Sequence, residues 1–381
     1  MNDAALSTLL LRSSAGLYGA DRMVLALNNG LAGHGVRSRL LNINNYRMRE
    51  QSLHELARAR GQDSVLLPCR GRIDTGTVNA LAAQIASTGA PVLHSHDYKS
   101  AFYAWLATRR QPARLVATLH GWVEGSSTLR LYTRLELALL RRFDALVVVA
   151  AGQVERLLQA GIPHSRIHQI DNGIEATHAD GAGAAVLRDR LGIATSAQVF
   201  TAVARLSSEK NLSMLLQAFA PVAAHSPEAT LVLVGDGPER EALQAQAGEL
   251  GLLGGRQLHF LGTRDDMAVI YAMTDCLVLP SLSEGMPLVV LEAMACEVPV
   301  LASAVGDIPR LLAGSEHGRL VPAGDAVALQ AALEEALMLR GRRDVAARAY
   351  VDEHHSAQAM AGRYLDLYQR LLETTHDRRA S

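Results

Sequence analysis

The sequence predicts an α/β protein made of two doubly wound parallel-sheet domains. Three observations carry this. Short apolar runs rich in β-formers alternate with helical segments along the whole chain, as in parallel sheets covered on both faces. The alternation comes in two series, each long enough to close a sheet of its own. Between them lies EATHADGAGA, residues 175–184, which is small, polar and without period, as linkers are.

The elements follow in order. The first series has strands at STLLLR, VRSRLLN, SVLLP, PVLHS, RLVATLH, DALVVVA and RIHQID, with amphipathic segments such as DRMVLALNNGLAGHG between them. The second has VFTAVA, ATLVLVG, QLHFLG, DCLVLP, PVLAS and GRLVP, again with helices between. From Ser356 to Leu372 a periodic helix carries Met360, Tyr364, Leu365, Tyr368 and Leu371. It either caps the second domain or crosses back to the first. The expected domains are 1–175, 176–355 and this terminal helix, 356–381. A chain of 381 residues, 49% hydrophobic, is long enough for two separate cores.

The net charge of −1 points to no particular partner and does not suggest nucleic acid. The distribution of charge is more informative. Through Gly173 there are 20 Lys+Arg against 12 Asp+Glu; the remainder has 17 against 26. A basic first half suits an anionic surface or a phosphorylated acceptor, though two ordinary solvated surfaces would also account for it. The three cysteines, Cys69, Cys276 and Cys296, fit no metal-ligand spacing and suggest a reducing compartment. The N-terminal LSTLLL lacks a preceding basic segment and reads as a first strand. No apolar run has the length of a membrane span. The expected location is the cytoplasm.

In doubly wound sheets, ligands bind at the carboxyl ends of strands. Four loops of that kind stand out. SLSEGMPLVVLEAMA, residues 281–295, has Pro287 suited to a first helical turn and an apolar run interrupted by Glu292. On a helix, Glu292 shares its face with Leu288, Val289, Ala295 and Cys296. Either that face is solvated or the carboxylate has an assigned partner; four apolar neighbours favour the partner. Glu284 stands in the loop before the helix, whose free N–H groups suit phosphate. VARLSSEKN carries Arg205 and Lys210, a guanidinium and an ammonium able to clamp a diphosphate. The plainer alternative is a solvated pair, with Glu209 balancing Lys210. Only two lysines occur, Lys99 and Lys210, against 35 arginines, so a lysine here departs from the chain's own habit. RSSAGLYGAD places Gly16 and Gly19 ahead of a helix, although turns need glycine too. LHGW puts His120 at a strand end, as HSHDYKS does His96, Asp97 and Lys99, although a lone histidine is more often structural. No GxGxxG follows any of these strands, which counts against a nicotinamide or flavin enzyme.

Taken in order, GLYGAD, HSHDYKS, TLHGW, IDNGIE, VARLSSEKN, LVGDGPER, FLGTRDD, SEGMPLVVLEAMACEVPVLAS, GDIP and GRLVP resemble the retaining glycosyltransferases of family 4. The E-x7-E spacing of Glu284 and Glu292 is the most specific element. The resemblance implies the GT-B fold, two Rossmann-like domains facing across a cleft. It implies transfer of a sugar from a nucleotide diphosphate sugar, UDP-sugar or GDP-mannose, to a glycan or lipid-linked acceptor. It also implies roles. Glu292 would bind the ribose hydroxyls. Glu284 would lie near the transferred sugar, with the segment Gly285, Met286, Pro287 and Leu288 over sugar and phosphate, its N–H groups coming from Gly285, Met286 and Leu288. Arg205 and Lys210 would clamp the diphosphate, Gly16 and Gly19 would close on the phosphates, and His120 would stand beside the reacting carbon. Gly235, Thr263 and Arg264 would form the base region. No cofactor and no essential metal is expected. The family's loop often reads GGAE where this chain has GLYGAD. Arginines mixed with apolar residues in WLATRRQPARL and TLRLYTRLELALLRRFD (Arg109, Arg110, Arg130, Arg134, Arg141 and Arg142) suggest peripheral contact with an anionic membrane, although a solvated helix face would also account for them. A sugar-nucleotide epimerase or a non-catalytic sugar-nucleotide sensor would use part of the same machinery.

Overall fold

The structure, a computed structural model, describes residues 6–14, 16–44, 51–71, 73–120, 127–175, 178–253 and 256–380, the side chains of 127–132 and 374–380 excepted. The chain forms two compact units: Met1–Glu175 with His354–Ser381, and Ala176–Glu353.

The first unit alternates β1 (Ser7–Arg12), α1 (Gly19–Gly33), β2 (Arg37–Ile43), α2 (Ser52–Ala59), β3 (Ser64–Leu67), α3 (Thr75–Thr88) and β4 (Val92–Ser95). It continues through α4 (Tyr98–Thr108), β5 (Arg114–Leu119), α5 (Ser127–Leu140), β6 (Ala145–Val148), α6 (Gly152–Gln159) and β7 (Ile167–Gln169). All pairings are parallel, in the order β3-β2-β1-β4-β5-β6-β7. Leu9, Leu10, Leu11, Leu40 and Leu41 are fully buried, as strands covered on both faces must be.

The second unit runs α7 (Gly181–Leu191), β8 (Gln198–Val203), α8 (Leu212–His225), β9 (Ala229–Val234), α9 (Arg240–Glu249), β10 (Leu258–Gly262) and α10 (Met267–Met273). Then come β11 (Cys276–Leu279), α11 (Leu288–Ala295), β12 (Val300–Ser303), α12 (Ile308–Leu312), β13 (Arg319–Val321), α13 (Ala326–Ala336) and α14 (Val345–His354). Its parallel sheet has the order β10-β9-β8-β11-β12-β13. The thirteen strands among the described residues fall where the apolar runs predicted them.

Two local expectations need correction. The linker read over 175–184 is shorter, because Gly181–Ala184 open α7. Asp180 caps that helix by accepting a hydrogen bond from Gly183 N at 3.0 Å. Pro287 is the N-cap of α11 and not its first helical residue: its ψ of 121° is extended.

α15 (Ala357–Ala380) belongs to the first unit. Ile174 N donates to His355 O and Ala357 N to Ile174 O, both at 2.8 Å, so the returning chain is stitched before the helix begins. Contact with α1 is close because position 30 is glycine. A Cβ there would lie 2.5 Å from Ala357 O and 2.8 Å from Ala361 Cβ. Tyr364 and Tyr368 are buried from this helix.

Candidate active site

Strand order decides where a doubly wound sheet can hold a ligand. Where the order reverses, the loops of two central strands leave in opposite directions and open a crevice at the carboxyl edge. In the second sheet that point lies between β8 and β11, and in the first between β1 and β4. The loops after β8 and β11 are the two that carry Arg205, Lys210 and Glu284.

The second unit brings Lys210 and Glu284 together. Lys210 Nζ donates to Glu284 Oε1 at 2.7 Å, and Ser281 Oγ donates to the same oxygen at 2.7 Å. Glu209 takes its hydrogen bond from Ser207 Oγ at 2.6 Å, while the charges of Lys210 and Arg205 act on it electrostatically. Arg205 is exposed at the end of its strand. The loops are also joined through their backbones. Leu282 N donates to Glu209 O at 2.8 Å, and Glu239 N to Leu206 O at 3.0 Å.

Two glycines permit this closeness. Gly235 has φ 128°, and a Cβ on it would fall 1.9 Å from Ala204 O. No side chain fits, so the β9 loop lies directly against the residue before Arg205. Gly306, in the GDIP turn after β12, has φ 55°, and its Cβ would fall 2.3 Å from Glu284 O. Asp307 N donates to Gly285 O at 3.0 Å beside it. The backbone under Glu284 is thus supported by a turn that only glycine can make.

α11 is buried at Leu288, Val290, Leu291, Ala293, Met294 and Ala295. Each fully buried Leu or Met contributes about 1.5–3 kcal/mol to holding it in place. Val289 and Glu292 are half-buried, so the face of Glu292 is partly open and not wholly apolar. Tyr271, on α10, donates its hydroxyl to Glu292 Oε2 at 2.7 Å. No motif flags this tyrosine; only its place at a helical spacing before β11 is visible in the sequence. Met286 and Pro287 are buried, Gly285 half-buried. Thr263 and Arg264 follow β10, and Arg264 Nε donates to Asp266 Oδ1 at 2.8 Å. Its guanidinium is therefore held by a neighbouring carboxylate.

The first unit has its own strand-end cluster. Asp21 is fully buried on α1 and accepts from Arg12 Nε at 2.7 Å, Ser14 Oγ at 2.9 Å and Tyr18 N at 2.8 Å. This fixes the GLYGAD loop from below. Tyr18 is 57% exposed, and its ring lies over Gly16, where a Cβ would meet it at 3.3 Å. Gly19 is the first residue of α1. Arg12 Nη1 also donates to His96 O at 2.7 Å, and Ser13 N to Asp97 Oδ2 at 2.7 Å, which ties the β1 loop to the β4 loop.

His120 lies half-buried at the end of β5, with Nε2 3.3 Å from His96 Nδ1. Burial, with the positive charge of Arg12 and the neighbouring His94, holds the His120 imidazole well below its usual pKa. It is neutral at pH 7, a hydrogen-bonding group rather than a cation. His94 is buried behind it, with Nδ1 2.6 Å from Tyr368 OH and Nε2 2.8 Å from Thr118 Oγ1; burial pushes it down to about 3. Gly121 and Trp122 of the LHGW motif lie outside the described residues.

Of the arginines read as a basic surface, Arg109, Arg110, Arg134, Arg141 and Arg142 are exposed, and the side chain of Arg130 lies outside the described residues. Arg141 is occupied, since its Nε donates to Ala160 O at 2.9 Å. Arg109 lies over the Trp105 ring, 5.9 Å from its centroid. Among the described residues no helix is long and apolar enough to cross a membrane, and no group of three His, Cys, Asp or Glu side chains is placed to hold a metal ion.

Two Rossmann-like parallel-sheet units with charged loops at their strand-order reversals define the GT-B class. Residues 18–178 match Glycosyltransferase Family 4, and residues 185–350 match Glycosyl transferases group 1. The chain is 30% identical to a phosphatidyl-myo-inositol mannosyltransferase of Mycolicibacterium smegmatis over 72% of this chain and 70% of that one. It is 28% identical to N-acetyl-alpha-D-glucosaminyl L-malate synthase of Bacillus anthracis over 77% and 79% of the two chains. Among solved structures, Anabaena HepE in complex with UDP superposes with a TM-score of 0.80 at 20% identity, covering 96% of this chain and all (100%) of that one. The chain belongs to glycosyltransferase family 4 and is a glycosyltransferase.

Proposed function

We propose that the enzyme moves a sugar from a UDP-sugar or GDP-mannose to a glycan or lipid-linked acceptor, with retention at the anomeric carbon, in envelope or exopolysaccharide synthesis. The observation that carries this is the Lys210–Glu284 pair, 2.7 Å apart at the strand-order reversal of the second sheet. It puts a cation and a carboxylate ahead of the N-terminus of α11. As the bond from sugar to diphosphate breaks, negative charge grows on the leaving group. Arg205, Lys210 and the helix N-terminus would stabilise it as it forms. An ammonium has three donors and Glu284 takes one, so Lys210 is oriented while keeping donors for phosphate. Attack would come from the front face, the departing phosphate helping to take the acceptor's proton.

The remaining site residues take the parts the motifs suggest. Glu292 would accept hydrogen bonds from the ribose diol, and Gly285–Leu288 would face sugar and phosphate. Gly235, Thr263 and Arg264 would lie by the base. Gly16, Gly19 and neutral His120 would serve the sugar and phosphates from the first unit. On this reading the charge of the leaving diphosphate is met by these groups without an essential metal or cofactor. Relatives support the donor class: HepE has been solved with UDP-glucose, and one M. smegmatis relative, 28% identical, is named a GDP-mannose-dependent phosphatidylinositol monomannoside mannosyltransferase. The lipid-bound acceptors in such names, with exposed Arg109, Arg110 and Arg142, support a protein at the cytoplasmic face of an anionic membrane.

A thermal-shift screen over UDP-, GDP-, ADP- and dTDP-sugars tests the donor. Stabilisation by a UDP-sugar or GDP-mannose is expected; none by any of the four classes would reject the reading. Sedimentation with liposomes containing anionic lipid is expected to carry the protein down, and liposomes without it are not. Equal, negligible binding to both would reject the membrane part alone.

A further inference from the structure

The hydrogen bond between Tyr271 and Glu292 carries a consequence for nucleotide choice. Tyr271 is fully buried, and its hydroxyl lies 2.7 Å from Glu292 Oε2 and 3.5 Å from Val289 O. A buried phenol needs a polar partner, and one that is a carboxylate makes a strong, directional bond. The tyrosine is itself immobile. Its helix α10 buries Ile270 and Met273 in a cluster with Ala184, Leu187 and Val199. At the end of that helix, Thr274 Oγ1 donates to Ile270 O at 2.7 Å and lies 2.7 Å from Thr201 Oγ1 on β8. The hydroxyl is therefore a fixed point on the frame of the sheet.

A glutamate on a helix surface turns freely about three side-chain torsions, and ordering it costs free energy. Holding Oε2 removes most of that freedom before any ligand arrives. A vicinal diol needs a carboxylate in one orientation, because its two hydroxyls donate in a fixed geometry. A single hydroxyl, or none, needs no such preparation.

We infer that Tyr271 is a positioning residue that pre-orients Glu292 for a ribose diol and so makes the site selective for ribonucleotides over deoxyribonucleotides. The inference rests on the reading of Glu292 as the ribose-binding carboxylate given above. It concerns a tyrosine outside every motif that led to that reading.

The test is calorimetric titration of the full chain with UDP, with GDP, and with the 2′,3′-dideoxy form of each. Wild type, Tyr271→Phe and Glu292→Gln are compared. For whichever base binds, the wild type is expected to prefer the ribonucleotide by about tenfold to a hundredfold for each hydrogen bond to the carboxylate. Tyr271→Phe keeps the buried ring and removes only the hydroxyl. It should lower that preference by about threefold to tenfold, the cost of immobilising one side chain on binding. Its affinity for the dideoxy nucleotide should be unchanged, a separation that general loosening of the fold would not produce. If Glu292→Gln collapses the preference while Tyr271→Phe leaves it intact, the positioning role is wrong and the ribose assignment stands. If Glu292→Gln leaves the preference intact, the ribose assignment fails and the inference with it.

Discussion

Gly306→Ala is the sharpest single perturbation of this site, because it acts on Glu284 without touching its side chain. A Cβ at position 306 would lie 2.3 Å from Glu284 O, 2.6 Å from Gly285 O and 2.9 Å from Glu284 C. Separations under 3.0 Å are not sustained, so one backbone must yield by at least about 0.7 Å, the gap between 2.3 and 3.0 Å. The atoms met are main chain and cannot swing aside. Displacing Glu284 by that amount loosens its contact with Lys210, and a 1 Å misplacement can cost about 10²-fold in rate. Alanine also adopts the φ of 55° unwillingly, at roughly 1–2 kcal/mol. That second cost needs a control. Gly341→Ala supplies it, since Gly341 has φ 69° and nothing within 4 Å of its Cβ position. Both variants should melt earlier by a similar conformational increment. Only Gly306→Ala should lose about 10- to 100-fold in kcat/KM for release of nucleoside diphosphate from the donor. Equal kcat/KM in the two variants would refute the idea that this turn sets the position of Glu284.

Lys210→Ala should lower turnover by about 10²–10³, the usual loss for one electrostatic contact to a developing charge, and near-normal kcat would remove Lys210 from the mechanism. Asp21→Ala breaks the ion pair between the fully buried Asp21 and the partly buried Arg12 and should cost up to about 3–5 kcal/mol in urea unfolding; a loss below about 1 kcal/mol would show that the pair is not needed to hold the GLYGAD loop. Stability should also fall with acid. His94 binds its proton at about 3 in the folded state against 6.5 in the unfolded chain, so its contribution is complete above pH 6.5 and shrinks as pH drops. At about 1.4 kcal/mol per pH unit the loss approaches about 2 kcal/mol between pH 6.5 and 5, and His96 and His120 add to it with the same sign. Urea melts at pH 7.5 and 5.0 measure this, and His94→Gln should flatten the slope; an unchanged slope would assign it elsewhere.

What the sequence determined by itself was the alternation of elements and the chemistry available at each strand end. Parallel strands are buried on both faces, so runs such as STLLLR and ATLVLVG are legible from local composition. Motif spacing likewise marked Glu284 and Glu292, because seven intervening residues lie in one loop and one helix. Strand order is not local, and it decided the rest. Lys210 meets Glu284 across 74 positions because β8 and β11 are neighbours. Gly306 supports Glu284 because β12 follows β11 in the sheet. Tyr271 reaches Glu292 because α10 and α11 flank β11, although one sits in an unremarkable stretch and the other in a motif. The helix face around Glu292 looked wholly apolar for the same reason: sequence spacing gives the neighbours on one helix, and burial depends on what other elements cover them. A residue's type fixes what bonds it can make; only the order of the sheet fixes which partner is within 3 Å.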